Sequence, residues 1–188
     1  MSKIMVVCSL VIVLASCGCS KEYSCMKKGD SFCGFNFGSP APKGLQPDEK
    51  GEYHEVVFLK APYKMFEVAT VGYTKATKVL ASLSFVASVG QGYLGTADDD
   101  EEFSGKRKKA LAIVNDLKAD VEEKLGIEIE ASELASRSKH VVFYHTKDVV
   151  DYEVFIDLQP NGRLELSISN HRVYAYNARV FKSHHMQK

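Results

Sequence analysis

The stretch from Val150 to Ser169 constrains the fold more than any other. Val150, Tyr152, Val154, Ile156 and Leu158 alternate with Asp151, Glu153, Phe155 and Asp157. Gln159-Pro160-Asn161-Gly162 follows, and then Leu164, Leu166 and Ile168 alternate with Arg163, Glu165, Ser167 and Ser169. Successive side chains of a strand point to opposite faces, so each run has one apolar face and one polar face. Asn-Gly between two such runs marks a hairpin, and Gly162 supplies the positive φ that the turn needs. The chain must therefore form antiparallel sheet with one greasy side and one wet side.

The same period recurs upstream. Val79, Ala81, Leu83, Phe85, Ala87 and Val89 alternate with residues that include Ser82, Ser84 and Ser88. Two further β-rich runs, Tyr53 to Leu59 and Met65 to Thr74, precede it. The period then changes. Ala110, Ile113, Val114, Leu117, Val121 and Leu125 are spaced by threes and fours, and Gly126 stands where a helix C-cap belongs. This predicts a helix from about Phe103 to Leu125. Ile127 to Glu130 and Val141 to Tyr144 read as short strands. Val173 to Phe181 reads as either an edge strand or a last helical turn. The expected fold class is α+β: an antiparallel sheet of about six strands with one long amphipathic helix packed on one face. The chain order is three strands, the helix, then three strands.

Composition bounds the function. The 188 residues hold 24 Lys and Arg against 24 Asp and Glu, so the formal net charge is zero. A nucleic-acid surface needs a basic stripe, and that partner class is excluded here. The acidic run Asp98 to Glu102 and the basic run Lys106 to Lys109 adjoin one another and read as solvated charge at the helix entrance.

The first seventeen residues carry a different signal. Met1-Ser2-Lys3 is basic at its third residue, Ile4 to Leu14 is almost wholly apolar, and Leu14-Ala15-Ser16-Cys17 closes the segment. The apolar part is too short for the ~20 residues that span a bilayer, and it fits the core of a cleaved signal. The four closing residues resemble the lipobox of a bacterial lipoprotein signal peptide. The resemblance implies diacylglyceryl modification of the Cys17 sulfur and cleavage before it. It implies a membrane-anchored lipoprotein of the bacterial cell envelope, facing the periplasm or the exterior. Gly18 in place of Asp favours the outer membrane in a Gram-negative cell. The expected organisation is a signal peptide over 1–16, a lipidated N-terminus and flexible tether over 17–51, a single α+β domain over 52–182 and a tail over 183–188. Within the tether, Gly34-Phe35-Asn36-Phe37-Gly38 has two aromatics at alternate positions and reads as a short strand docking on the domain.

Beyond Cys17, chemistry is sparse. Cys25 and Cys33 close a short loop as a disulfide in an oxidising envelope and stay free thiols in a reducing one, with Cys19 left over. His140 and His145 flank a strand, five residues apart, which predicts opposite faces. No catalytic residue, metal-ligand set or cofactor motif is legible: the chain has neither Gly-x-Ser-x-Gly nor a phosphate-binding glycine loop. The leading expectation is a lipid-anchored binding or structural module, its partners being the membrane and an envelope protein or the peptidoglycan. The alternatives are an envelope-protecting inhibitor of a hydrolase or protease, with Tyr93 and Leu94 as apolar anchors of an exposed loop, and a small cell-envelope hydrolase.

Overall fold

The computed structural model describes residues 31–90, 94, 101–132 and 140–185. In chain order the elements are β1 (Ser31–Phe32), β2 (Phe35–Asn36), β3 (Tyr53–Tyr63), β4 (Phe66–Tyr73), β5 (Leu80–Ser88), α1 (Glu101–Leu125), β6 (Ile129–Ala131), β7 (Val142–Thr146), β8 (Tyr152–Leu158), β9 (Arg163–Asn170) and α2 (His171–His185). Strands β3 to β9 form one seven-stranded antiparallel sheet in the order β3-β4-β5-β9-β8-β7-β6. The chain lays down one meander to β5, crosses through α1 to the far edge, and returns strand by strand until β9 meets β5.

The fold class is α+β, with differences from the expectation. The main sheet has seven strands rather than about six, because short Ile129–Ala131 pairs with β7 in its own right. A second helix, α2, occupies the segment that reads as an edge strand or a single turn. Its start is set by Asn170, whose Oδ1 accepts the Val173 N–H at 3.1 Å as an N-cap. The His171 N–H donates to the Asp151 carbonyl at 2.9 Å, and the Arg172 guanidinium grips the Asp151 carboxylate with two nitrogens.

The apolar face of the sheet is built in rows. Val71, Leu83, Ile168 and Val154 lie side by side across four strands, and Ala69, Phe85, Leu166 and Ile156 form the next row. All eight are buried. Ala110, Val114, Leu117 and Val121 of α1 belong to the same apolar cluster, at the spacing of one helical stripe, and α1 lies against β8. At its C-terminus Gly126 takes φ +65°, and the Ile127 N–H reaches back to the Glu122 carbonyl at 3.3 Å, which closes a Schellman-type cap. The β8–β9 turn differs from a two-residue Asn-Gly hairpin. Only Gly162 has positive φ, and its N–H donates to the Gln159 carbonyl at 2.9 Å around Pro160 and Asn161. A side chain on Gly162 would also meet the Gly90 backbone at 3.1 Å.

Within the expected flexible tether over 17–51, residues 31–41 are docked on the domain. Cys33 and Gly34, both at positive φ, make the two-residue turn of the β1–β2 hairpin. Phe32 and Phe37 are buried: the Phe32 ring stands edge-on to Tyr63 at 5.2 Å and to Phe85 at 6.0 Å, and Phe37 packs on Tyr152 at 5.6 Å. Gly38 N–H to Leu80 carbonyl, Leu80 N–H to Ser39 carbonyl and Ala41 N–H to Lys78 carbonyl, each 2.8 Å, tie the following residues to the start of β5. The physical reason is aromatic burial: two phenylalanines left in water would forfeit roughly 1.5–3 kcal/mol each. The docking anticipated for Phe35 and Phe37 is thus made chiefly by Phe32 and Phe37.

Two carboxylates on α1 should make the fold acid-sensitive. Burial pushes Asp120 up, but hydrogen bonds from Lys124 Nζ at 2.6 Å and from the Tyr63 hydroxyl outweigh it and hold its pKa below the ordinary value. Glu122 is likewise pushed up by burial and held lower overall by Lys118 and the Ile129 N–H, both at 2.8 Å. The unfolded chain takes up these protons near pH ~4, whereas the folded chain resists until lower pH. Below that point acid favours the unfolded state, and the stabilisation is fully present only above it. The urea midpoint should therefore be lower at pH 3 than at pH 6, and Glu122→Gln should lessen the difference; equal midpoints in the parent protein would contradict this.

Candidate ligand-binding face

The second face of the sheet carries the polar half of every alternating run. Register places its side chains in rows as well. Val56, Thr70, Ser84, Ser167, Phe155, His145 and Glu130 span all seven strands in one row. His54, Gly72, Ser82, Ser169 and Glu153 form a second. Val86, Glu165, Asp157 and Phe143 form a third. The face thus runs from Val56 and His54 at the β3 edge, through small hydroxyl residues in the middle, to aromatic and acidic residues toward β7.

The hydroxyl region is a groove of about 580 Å³. Thr70, Ser82, Ser84, Ser167 and Ser169 line its floor, with Tyr53 and His54 from β3 and Tyr174 and Asn177 from α2 at its margins. Gly72 makes room in that floor: a Cβ there would come within 2.2 Å of Ser82 Oγ. Asn177 also pins the wall of the groove, since its Oδ1 accepts the N–H groups of Ala76 at 3.0 Å and Thr77 at 3.1 Å from the β4–β5 turn. Tyr73 lines the groove as well; burial and then the Glu55 charge push its hydroxyl up to about 12, so it stays a neutral donor.

Ser167 is shared with a second hollow of about 310 Å³ lined by Phe143, Phe155, Asp157 and Glu165. The Phe143 and Phe155 rings stack at 5.7 Å. Asp157 and Glu165 are direct neighbours across β8 and β9. Like charges so placed repel, and each carboxylate is held by an outer partner. His140 Nδ1 lies 2.6 Å from Asp157 Oδ1, and Arg163 donates to Glu165 at 3.3 Å. Ser84 and Ser167 hydroxyls donate to Glu165 at 3.4 and 3.5 Å. The hollow therefore offers ring faces and carboxylate acceptors beside the hydroxyls of the groove, a set suited to a polar, hydrogen-bonding ligand.

Each residue singled out in the sequence now has a place. His140 and His145 do not point to opposite faces. His140 precedes β7, so strand alternation does not govern it; its ring packs on Phe143 at 5.4 Å, on the face where His145 stands opposite Phe155. Leu94 is no exposed anchor. It is 1% exposed, joins the core, lies against Gly90, and donates its N–H to the Pro160 carbonyl. Tyr93 lies outside the described residues, as do Cys17, Cys19 and Cys25. Cys33 is a half-buried free thiol, which burial pushes up to about 11, so it is protonated and a weak nucleophile at neutral pH. Sequence reasoning missed one donor cluster, in which Asp48, Glu52 and His54 bring one ligand atom each within 4.8 Å. The Asp48 carboxylate there already accepts the N–H groups of Lys50 at 2.9 Å and Glu52 at 2.7 Å, and all three residues are exposed. The groove itself could have been found from Ser82, Ser84, Ser167 and Ser169, once β5 and β9 are known to be neighbours.

No family model matches this chain, and comparison with curated proteins and with solved structures returns no match.

Proposed function

We propose that this chain is a lipid-anchored binding module of the bacterial cell envelope, and that the open face of its sheet is the binding surface. The observation that carries the reading is the groove over Ser82, Ser84, Ser167 and Ser169, which shares Ser167 with the adjoining Phe143–Phe155 hollow. An antiparallel sheet commonly leaves one face to water, but a featureless solvated face has no need of a glycine that deepens it or of a helix that walls one end. Hydroxyls, ring faces and carboxylates together suit an extended polar partner, a segment of an envelope protein or a peptidoglycan strand. The anchor rests on Leu14-Ala15-Ser16-Cys17. Of the two anchors expected for the inhibitor alternative, Leu94 is buried and Tyr93 lies outside the described residues.

The groove can be filled without touching the core, because Ser84 points away from it. Affinity capture of the full-length chain from solubilised envelopes should recover a stoichiometric partner, and Ser84→Trp should lower recovery by about tenfold, the equivalent of one well-buried contact. Undiminished capture by Ser84→Trp, with the variant folded by circular dichroism, would contradict the assignment.

A further inference from the structure

The two ends of the sheet are unequal. At one end β6 is only three residues long, and shortness itself blunts an edge. At the other, β3 runs for eleven residues and, among the described residues, pairs only with β4. Natural edges are protected by charge, proline or a bulge. In β3 the proline, Pro62, and the register break between Phe58 and Tyr63 are in the C-terminal half, as is Lys60, and the acidic residue of the N-terminal half, Glu55, accepts the Tyr73 hydroxyl at 3.3 Å. The N-terminal half, Tyr53 to Phe58, is regular and carries two of the most exposed apolar side chains among the described residues, Val56 at 57% and Phe58 at 79%. Val86 of β5, on the same face of the sheet, is 46% exposed.

We propose that this edge is a symmetric dimerisation surface, on which β3 of a second copy of the chain pairs antiparallel. The charges at the two ends of the segment select that occupant. A two-fold axis perpendicular to the sheet through Val56 sets Val56 opposite itself, His54 opposite Phe58 and Glu52 opposite Lys60 of the second copy. By symmetry the acid–base pair forms twice. On the helix side of the sheet the same register sets Tyr53 opposite Leu59 and Glu55 opposite Val57. Moving the axis to Glu55 places two glutamates face to face, which is unfavourable in a strand pair. Moving it to Val57 sets His54 against Lys60 and loses both acid–base pairs. One strand thus carries a negative end, an apolar middle and a positive end, which is the self-complementarity that a two-fold interface requires. Pairing would join two seven-stranded sheets into one and bring the two grooves to either side of the axis, since Tyr53 and His54 line each of them. The proposal does not depend on what the grooves hold.

The test uses the full-length chain in detergent. Sedimentation should show a monomer–dimer equilibrium that rises with concentration. Directly opposed side chains across a strand pair have Cβ atoms about 4.5–5.5 Å apart, so Val56→Cys should form an intermolecular disulfide under mild oxidation, whereas Thr70→Cys, one strand inward in the same row, should not. Lys60→Glu should weaken the dimer by about tenfold, and adding Glu52→Lys to that variant should restore it. All four positions are exposed, so circular dichroism should be unchanged. A monomer at every concentration would overturn the proposal. So would equal cross-linking at Thr70→Cys, a Lys60→Glu dimer of undiminished strength, or failure of the double variant to recover.

Discussion

Phe32→Ala should destabilise the protein by roughly 3–5 kcal/mol, the cost of truncating a fully buried phenylalanine that cannot be refilled from its surroundings. The residue lies before any strand of the main sheet, in a stretch whose glycines, lysines and prolines resemble linker chemistry. Yet its ring is 1% exposed and shares a cluster with Tyr63, Phe66 and Phe85, whose rings lie 5.2–6.2 Å apart. Removing it opens a cavity between β3, β4 and β5. The β1–β2 hairpin has only two residues per strand and depends on this contact to stay docked, since an isolated hairpin is marginal in water. For a chain of this size each kcal/mol moves the melting temperature by about 2–4 °C. Thermal unfolding of the variant should therefore show a fall of roughly 6–20 °C on those scales. A change within about a degree would mean that residues 31–41 contribute nothing to the fold. Phe35→Ala, half-buried in the same hairpin, should cost distinctly less.

Cys17→Ser should abolish acylation. Under the lipoprotein reading the thiol of Cys17 is the only group that accepts the diacylglyceryl chains. The loss of labelled palmitate should therefore be complete rather than partial. The physical consequence is large as well: each buried CH₂ contributes about 0.8 kcal/mol, and two or more acyl chains anchor a protein stably. Among the described residues no helix is long and apolar enough to cross a membrane. Without those chains the serine variant should be depleted from the membrane fraction once its signal is cut, or remain there only as the uncleaved precursor. Equal palmitate in parent and variant would defeat the lipobox assignment without affecting the groove.

What could be read beforehand was what local periodicity encodes. The alternation in Tyr152–Leu158 and Arg163–Asn170 and the serines of β5 emerged with their faces correctly assigned, because a period of two is a property of neighbours in sequence. The stripe Ala110, Val114, Leu117, Val121 was equally local. Three features were not. The β1–β2 strands are too short to show any period, so Phe32 was hidden among turn residues. The helix α2 begins immediately after a strand, and Val173-Tyr174-Ala175-Tyr176 carries strand-like residues; its clearest local signal, Asn170 as an N-cap, sits at the end of an alternating run. Leu94 lies among glycines that read as an exposed loop, and only the approach of Gly90 and Pro160 in space buries it. The groove is non-local for the same reason. Ser82 and Ser84 meet Ser167 and Ser169 only because β9 returns to β5 after the crossover through α1.

The central claim is that partners meet the open face of the sheet and not the helical side. A photo-reactive residue placed at Ser167, on the floor shared by the groove and the aromatic hollow, tests it in living cells when compared with the same residue at Asp116, exposed on α1. A discrete adduct from Ser167, lost when Ser84→Trp fills the groove, is the predicted result. Adducts from Asp116 with none from Ser167 would contradict the account.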